Sequence, residues 1–169
     1  MNNYTVERAV AEDLDAIMSI FSSARAYMAA QGNPQWQDGF PQREFIEGRI
    51  RNKVMYKIMC GGDIAAVFSM LDADSDYDKI DGKWLTDGSY FAVHNVAVAE
   101  NYRGKGCARY MFAHVLNEAA ARGKDSVRVD THEKNLPMRT LLNSLGFSCC
   151  GIVLVGGNKI RIAFEKLVK

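Results

Sequence analysis

The feature that most restricts how this chain can fold is the stretch from Val96 to Arg109, Val-Ala-Val-Ala-Glu-Asn-Tyr-Arg-Gly-Lys-Gly-Cys-Ala-Arg. It ends a β-rich run that starts at Tyr90 and reads as a strong strand to Ala99. A basic turn with Gly104 and Gly106 follows, and an apolar pattern of helical period then runs from about Gly106 to Arg122. Ala108, Met111, Phe112, Val115, Leu116 and Ala119 are the positions expected to face the core. Val127 and Val129 mark a further strand a few residues later. Strand, helix and strand in such close succession are expected to form a right-handed crossover between parallel strands.

The flanking segments extend this unit into a mixed sheet. Tyr4 to Arg8 reads as a first strand. Leu14, Ile17, Met18, Phe21, Ala24 and Met28 form the stripe of an amphipathic helix, with Asp13 as its N-cap and Gln31-Gly32-Asn33-Pro34 as its end. A second helix is expected from about Pro41 to Asn52. Val54–Cys60 and Ile64–Leu71 should pair through Gly61-Gly62, while Asp72–Asp87 reads as an irregular acidic loop. Pro137–Leu145 is a short helix with Asn135 at its N-cap, and Phe147–Val155 pairs with Lys159–Lys166 in a closing hairpin. The expected fold is α/β (mixed α+β), in the order βααβββαβαββ. With 169 residues and no internal repeat or linker, one domain over 1–169 is expected.

Composition removes several classes of function. The net charge is +1 with both signs interspersed, so the basic stripe of a nucleic-acid-binding surface is missing. No apolar run reaches the roughly 18–20 residues that span a bilayer. The start from Met1 to Arg8 is polar and carries an acid, unlike a signal peptide. Cys60, Cys107, Cys149 and Cys150 have neither C-x-x-C nor metal-ligand spacing. Reduced thiols in a cytoplasm, and no metal, are the expectation.

The turn at 103–108 has its own chemistry. A strand that opens through glycines into a helix points successive N–H groups and the positive end of the helix dipole at one spot. Arg103, Lys105 and Arg109 surround that spot with positive charge, as a pyrophosphate cradle requires. The pattern is neither a Walker loop nor a dinucleotide fingerprint. A capped helix start is the bland alternative.

Here the sequence resembles the GNAT-type N-acetyltransferase superfamily. Its acetyl-CoA signature, [RQ]-x-x-G-x-[GA], is matched by Arg103, Gly106 and Ala108 after a Val-Ala-Val strand end. The resemblance implies that the Val96, Ala97 and Val98 segment pairs with the pantetheine arm and that Arg103, Gly104, Lys105, Gly106, Cys107 and Ala108 hold the pyrophosphate. It also implies a coenzyme contact for Asn135, whose other reading is a simple helix cap. Gly146 would end that helix and send Phe147 into the core. Two departures stand out. The acid that many relatives carry four residues before Val96 is Ala92 here, and the tyrosine that protonates the leaving thiolate is Leu142. A thiol is acidic enough to leave without that help.

The amine must lose a proton before it attacks, so a base is needed. His94 lies two residues before Val96, on the face of Ala92, Val96 and Val98 by strand alternation. Some relatives resemble this chain in carrying a histidine there that works through water, and an imidazole suits the task. A half-buried structural histidine is the other reading. Asp130 and His132 rank below it, as substrate-orienting groups or loop caps, and Glu100 is expected in solvent. Cys107 at a helix start makes an acetyl-cysteine conceivable, although the resemblance favours direct transfer.

Tyr27, Met28, Trp36, Tyr77 and Trp84 could face the acceptor but suit the core equally. Asp72, Asp74, Asp76 and Asp78 could attract a cationic amine, or form a solvated loop. The expected activity is acetyl transfer from acetyl-CoA to a small-molecule or peptide amine. Transfer of a longer acyl group and a non-catalytic acyl-CoA sensor are the alternatives. Dimers are common among proteins resembling this one.

Overall fold

The computed structural model describes residues 3–168, so the polar stretch read from Met1 begins just outside them. Among these residues the chain forms β1 (Tyr4–Arg8), α1 (Leu14–Ala30), α2 (Arg43–Arg51), β2 (Met55–Cys60), β3 (Asp63–Leu71), β4 (Ile80–Gly82), β5 (Tyr90–Val98), α3 (Cys107–Ala121), β6 (Ser126–Thr131), α4 (Leu136–Ser144), β7 (Ser148–Val155) and β8 (Lys159–Leu167). Main-chain pairing follows the order β1-β2-β3-β5-β6-β8-β7-β4. The α/β class and element order match the sequence expectation, with β4 as an addition inside the stretch read as irregular. β5 pairs with β6 in parallel, from Tyr90↔Ser126 to Val93↔Val129, as the strand–helix–strand reading requires.

The chain groups into two compact units, Met1–Met70 with Asn95–His114, and Leu71–His94 with Val115–Lys169. In the first, Ile17, Phe21, Ile46, Ile50, Met55, Val67 and Ala97 form one apolar cluster. Met18, read as a core position of α1, is only partly buried there, and Ile20 takes a buried place instead. Asp13 stands at the N-cap position of α1, as expected, but its side chain makes no capping hydrogen bond to that helix. Its own backbone is already helical, and its carboxylate accepts from the Val10 N–H at 2.8 Å and from Lys57 Nζ. A 3-10 turn at Ala11–Asp13 precedes α1, so the capping acid serves that turn instead. The second helix is shorter than expected, starting after Gln42 rather than at Pro41.

In the second unit, Tyr77, Trp84, Ala92, Cys150, Val153 and Ala163 form the apolar cluster. Tyr77 and Trp84, considered above for the acceptor, are therefore core residues, joined by a hydrogen bond from Trp84 Nε1 to the Tyr77 carbonyl at 3.0 Å. The short strand β4 pairs with β7 where Gly82 faces Gly151. A Cβ on either glycine would lie 2.1 Å from a backbone oxygen of the partner strand, which explains why both are glycine. α4 ends as expected. Gly146 has φ +79, its N–H bonds to Asn143, and Phe147 N–H reaches back to Leu142, the Schellman pattern that a glycine at this position permits.

Candidate functional site

The turn in the first unit is built by tyrosines as much as by glycines. Tyr102 closes a 3-10 turn after β5, and its hydroxyl donates to Asp63 at 2.9 Å, beside the Cys60 carbonyl. The Tyr4 hydroxyl donates to the Lys105 carbonyl at 3.0 Å. Gly104 and Gly106 then take φ values of +72 and +80, which only glycine adopts cheaply. Nothing lies within 4 Å of where a Cβ on either would stand. The first bond of the α3 ladder runs from Tyr110 N–H to the Gly106 carbonyl. The amides of Gly106, Cys107 and Ala108 thus precede the ladder, where a helix start leaves its donors without intrahelical partners.

Two amides of the turn bond within it. Arg103 N–H bonds to the Glu100 carbonyl and Lys105 N–H to the Tyr102 carbonyl, both at 3.3 Å, so these two amides serve the turn. The Arg103 side chain docks on α1, with Nη2 donating to Ser23 Oγ at 2.8 Å and the guanidinium 4.4 Å above the Tyr27 ring. Lys105 keeps its ammonium 5.7 Å from the Tyr102 ring. Glu100 is exposed, as expected.

Cys107 is not activated by the helix start. It is buried, and burial pushes its thiol up to about 12, with Cys60 contributing further; the helix start does not overcome this. With a thiol-alkylating reagent at neutral pH, the exposed Cys149 should be modified first and Cys107 only after denaturation. Peptide mass spectrometry showing early modification of Cys107 would contradict this assignment.

Val96, Ala97 and Val98 lie in β5 beyond the last parallel pair, Val93↔Val129. The break follows a residue that sequence reading passed over. Asn95 is buried with φ +54, and its Oδ1 accepts from Ser69 Oγ at 2.9 Å. A left-handed residue inside a strand interrupts the regular ladder, and asparagine is among the few side chains that tolerate it.

In the second unit the structure brings together three residues that the sequence treated separately. His94 Nε2 lies 2.6 Å from Asp74 Oδ2, and Nδ1 lies 3.4 Å from Asp130 Oδ1. The Asp74 contact is a close approach that does not form an aligned hydrogen bond. The Tyr77 hydroxyl donates to Asp130 at 2.6 Å, and its ring lies 5.5 Å from that of His94. Burial holds the Tyr77 phenol well above its ordinary range, and the Asp130 carboxylate adds to this. Burial also raises Asp130, while His94, the Tyr77 hydrogen bond and Arg161 oppose the rise.

The acidic loop is therefore more than solvated polarity. Asp74 faces His94, Asp72 pairs with Lys124 at 2.9 Å, and Asp76 accepts from the Gly156 N–H. His132 does take the loop-capping role, with Nδ1 accepting from the Lys134 N–H at 3.1 Å. Its burial, and then Arg161, hold the imidazole below its usual range. Asn135 caps α4 by accepting from Met138 N–H at 3.3 Å. Leu142 is fully buried, and a leucine has no proton to donate. Among the described residues no group of three or more His, Cys, Asp or Glu is arranged to hold a metal ion. None of their helices is long and apolar enough to cross a membrane.

Comparison with known proteins places these features in context. The family model for the Acetyltransferase (GNAT) family matches residues 19–147. A GNAT-family acetyltransferase from Streptococcus agalactiae is similar at 32% identity, with 99% of this chain and 97% of that chain covered and a TM-score of 0.83. One from Listeria monocytogenes shares 18% identity over 99% and 98% of the two chains, with a TM-score of 0.76. The ribosomal-protein-S18-alanine N-acetyltransferase from Escherichia coli also shares the fold, at 18% identity, 98% and 94% coverage and a TM-score of 0.69. No curated protein sequence matches this chain.

Proposed function

Because the chain belongs to the GNAT acetyltransferase family, we propose that it transfers an acetyl group from acetyl-CoA to an amine by direct attack in a ternary complex. The observation that carries this reading is the run of amides at Gly106, Cys107 and Ala108 ahead of the α3 ladder, with open space beside Gly104 and Gly106. Those donors and the helix dipole suit a diphosphate. The Gly104 amide completes the set, and the amides of Arg103 and Lys105 shape the turn. Val96, Ala97 and Val98 supply the strand edge for the pantetheine arm. Asn135 stays in the coenzyme set by family resemblance alongside its capping role.

The coenzyme supplies an acyl thioester, whose carbonyl is open to attack by a neutral amine. His94 removes the proton that an ammonium acceptor carries at neutral pH. The amides of Val96 to Val98 donate to the oxygen on which charge develops, and one such donor contributes about 3 kcal/mol where this has been measured. Leu142 gives no proton to the departing thiolate, which is stable enough to leave on its own.

Gly106→Val tests the cradle. A β-branched residue at φ +80 is strained by about 1–3 kcal/mol, so the turn must move. Calorimetry should show acetyl-CoA binding lost while circular dichroism stays that of a folded chain; binding at wild-type strength would reject the cradle. The activity itself is tested by thiol release across acetyl- and succinyl-CoA. The acceptors are an amino acid, a polyamine, an aminoglycoside, a lysine peptide and a peptide beginning with alanine. Coenzyme binding without thiol release from any acceptor would favour a sensor.

A further inference from the structure

The proposed base sits between two carboxylates that are themselves held in place. Asp74 Oδ1 accepts from the Asp76 N–H at 2.8 Å, and the Tyr90 hydroxyl bonds to both the N–H and the carbonyl of Asp74. These contacts leave Asp74 Oδ2 directed at His94 Nε2. Asp130 is held by the Tyr77 hydroxyl, with Arg161 Nε 4.0 Å from its other oxygen. The His94, Asp74 and Asp130 side chains are 14%, 16% and 7% exposed, so water screens this group weakly.

We propose that Asp74 is the positioning residue for His94, which makes the acidic loop after β3 part of the catalytic apparatus. This rests on the reading of His94 as the base. The carboxylate charge 2.6 Å from Nε2, closer than the one 3.4 Å from Nδ1, favours the tautomer of the neutral imidazole with its hydrogen on Nε2. The other nitrogen of a neutral imidazole is then its acceptor. The proton lost by the ammonium, whose nitrogen keeps the bonding pair, is taken up at Nδ1. The imidazolium formed lies between the Asp74 and Asp130 carboxylates, whose charges stabilise it. The titratable and charged groups around the ring are Asp74 and Tyr77 from the loop, Tyr90 on the same strand, Asp130 on β6, and Arg161 on β8 behind Asp130.

Asp74→Asn removes the charge but keeps an oxygen that can cap the Asp76 N–H, so the loop should persist. The chain has three imidazoles, His94, His114 and His132, and His94→Ala identifies the His94 signals in long-range 1H–15N spectra by their loss. In Asp74→Asn those signals should move toward tautomer exchange, because the adjacent anion is gone. With acetyl-CoA and the panel amine that turns over fastest, kcat/KM should fall about 10- to 100-fold. The same change in the His94→Ala background should add nothing. Unchanged His94 signals in Asp74→Asn would overturn the proposal, as would full turnover by that variant when His94→Ala is inactive. Wild-type turnover by His94→Ala would overturn the base reading itself, and the positioning role with it.

Discussion

His94→Ala is expected to lower kcat/KM by about 10²- to 10⁴-fold, the range by which a positioned proton acceptor speeds a reaction. The loss should be greatest near neutral pH, where an alkylamine acceptor is almost wholly protonated. In the wild type, activity should fall as pH drops through the titration of the imidazole. Without the ring, that acidic limb should flatten and leave only the rise due to deprotonation of free amine. Two checks separate this from damage to the fold. Removal of the ring leaves Asp74 and Asp130 without the group that lies between them, so circular dichroism must be recorded. Acetyl-CoA binding should persist, because none of the cradle amides belongs to His94. An acidic limb identical to that of the wild type would reject His94 as the base.

The largest effect on stability is expected at Glu165. This residue is fully buried on β8, where its carboxylate accepts from Arg128 Nε at 2.9 Å, from Ser126 Oγ at 2.6 Å and from the Leu85 N–H. Arg128 in turn donates to the Thr86 carbonyl at 2.6 Å and lies 4.0 Å above the Tyr90 ring and 4.3 Å above that of Trp84. Arg128 and Asp130 share a face of β6 by strand alternation, so the buried pair braces the surface that presents Asp130 to His94. Glu165→Ala leaves the arginine buried without its counter-charge, which costs about 3–5 kcal/mol. For a chain of this length that corresponds to a drop in Tm of roughly 6–20 °C. The double variant Arg128→Met with Glu165→Leu should recover most of the loss, because it removes the buried charge and keeps the volume. A single variant that melts at the wild-type temperature would show that the pair does not bear on stability.

The comparison of sequence with structure divides along the range of the interactions. The hydrophobic period of α1 and α3, the alternation and β-branching of β5, the hairpin signals at Gly61-Gly62 and Gly156-Gly157-Asn158, and the glycine stop at Gly146 are all local. Each could be read because neighbouring residues decide it. The same is true of the glycine turn before α3, where φ values above zero select glycine whatever the rest of the chain does. Local signals failed where a distant partner intervened. Asp13 has the right residue type for a helix cap, yet Lys57 and the Val10 amide claim its carboxylate. Arg103 has a basic side chain beside the glycine turn, and Ser23 and Tyr27 of α1 engage its guanidinium.

What the sequence determined by itself was the α/β order of elements and the glycine turn that opens α3, because periodicity and backbone conformational preference act within a few residues. Tertiary structure alone decided that Asp74 and Asp130 flank His94, that Cys107 is buried with its thiol raised, and that Asn95 takes a left-handed conformation held by Ser69. Those facts depend on desolvation and on contacts between residues distant in the chain, such as Asp130 with His94, 36 positions apart. Charge placement and burial are properties of the packed fold, and no window of neighbouring residues contains them.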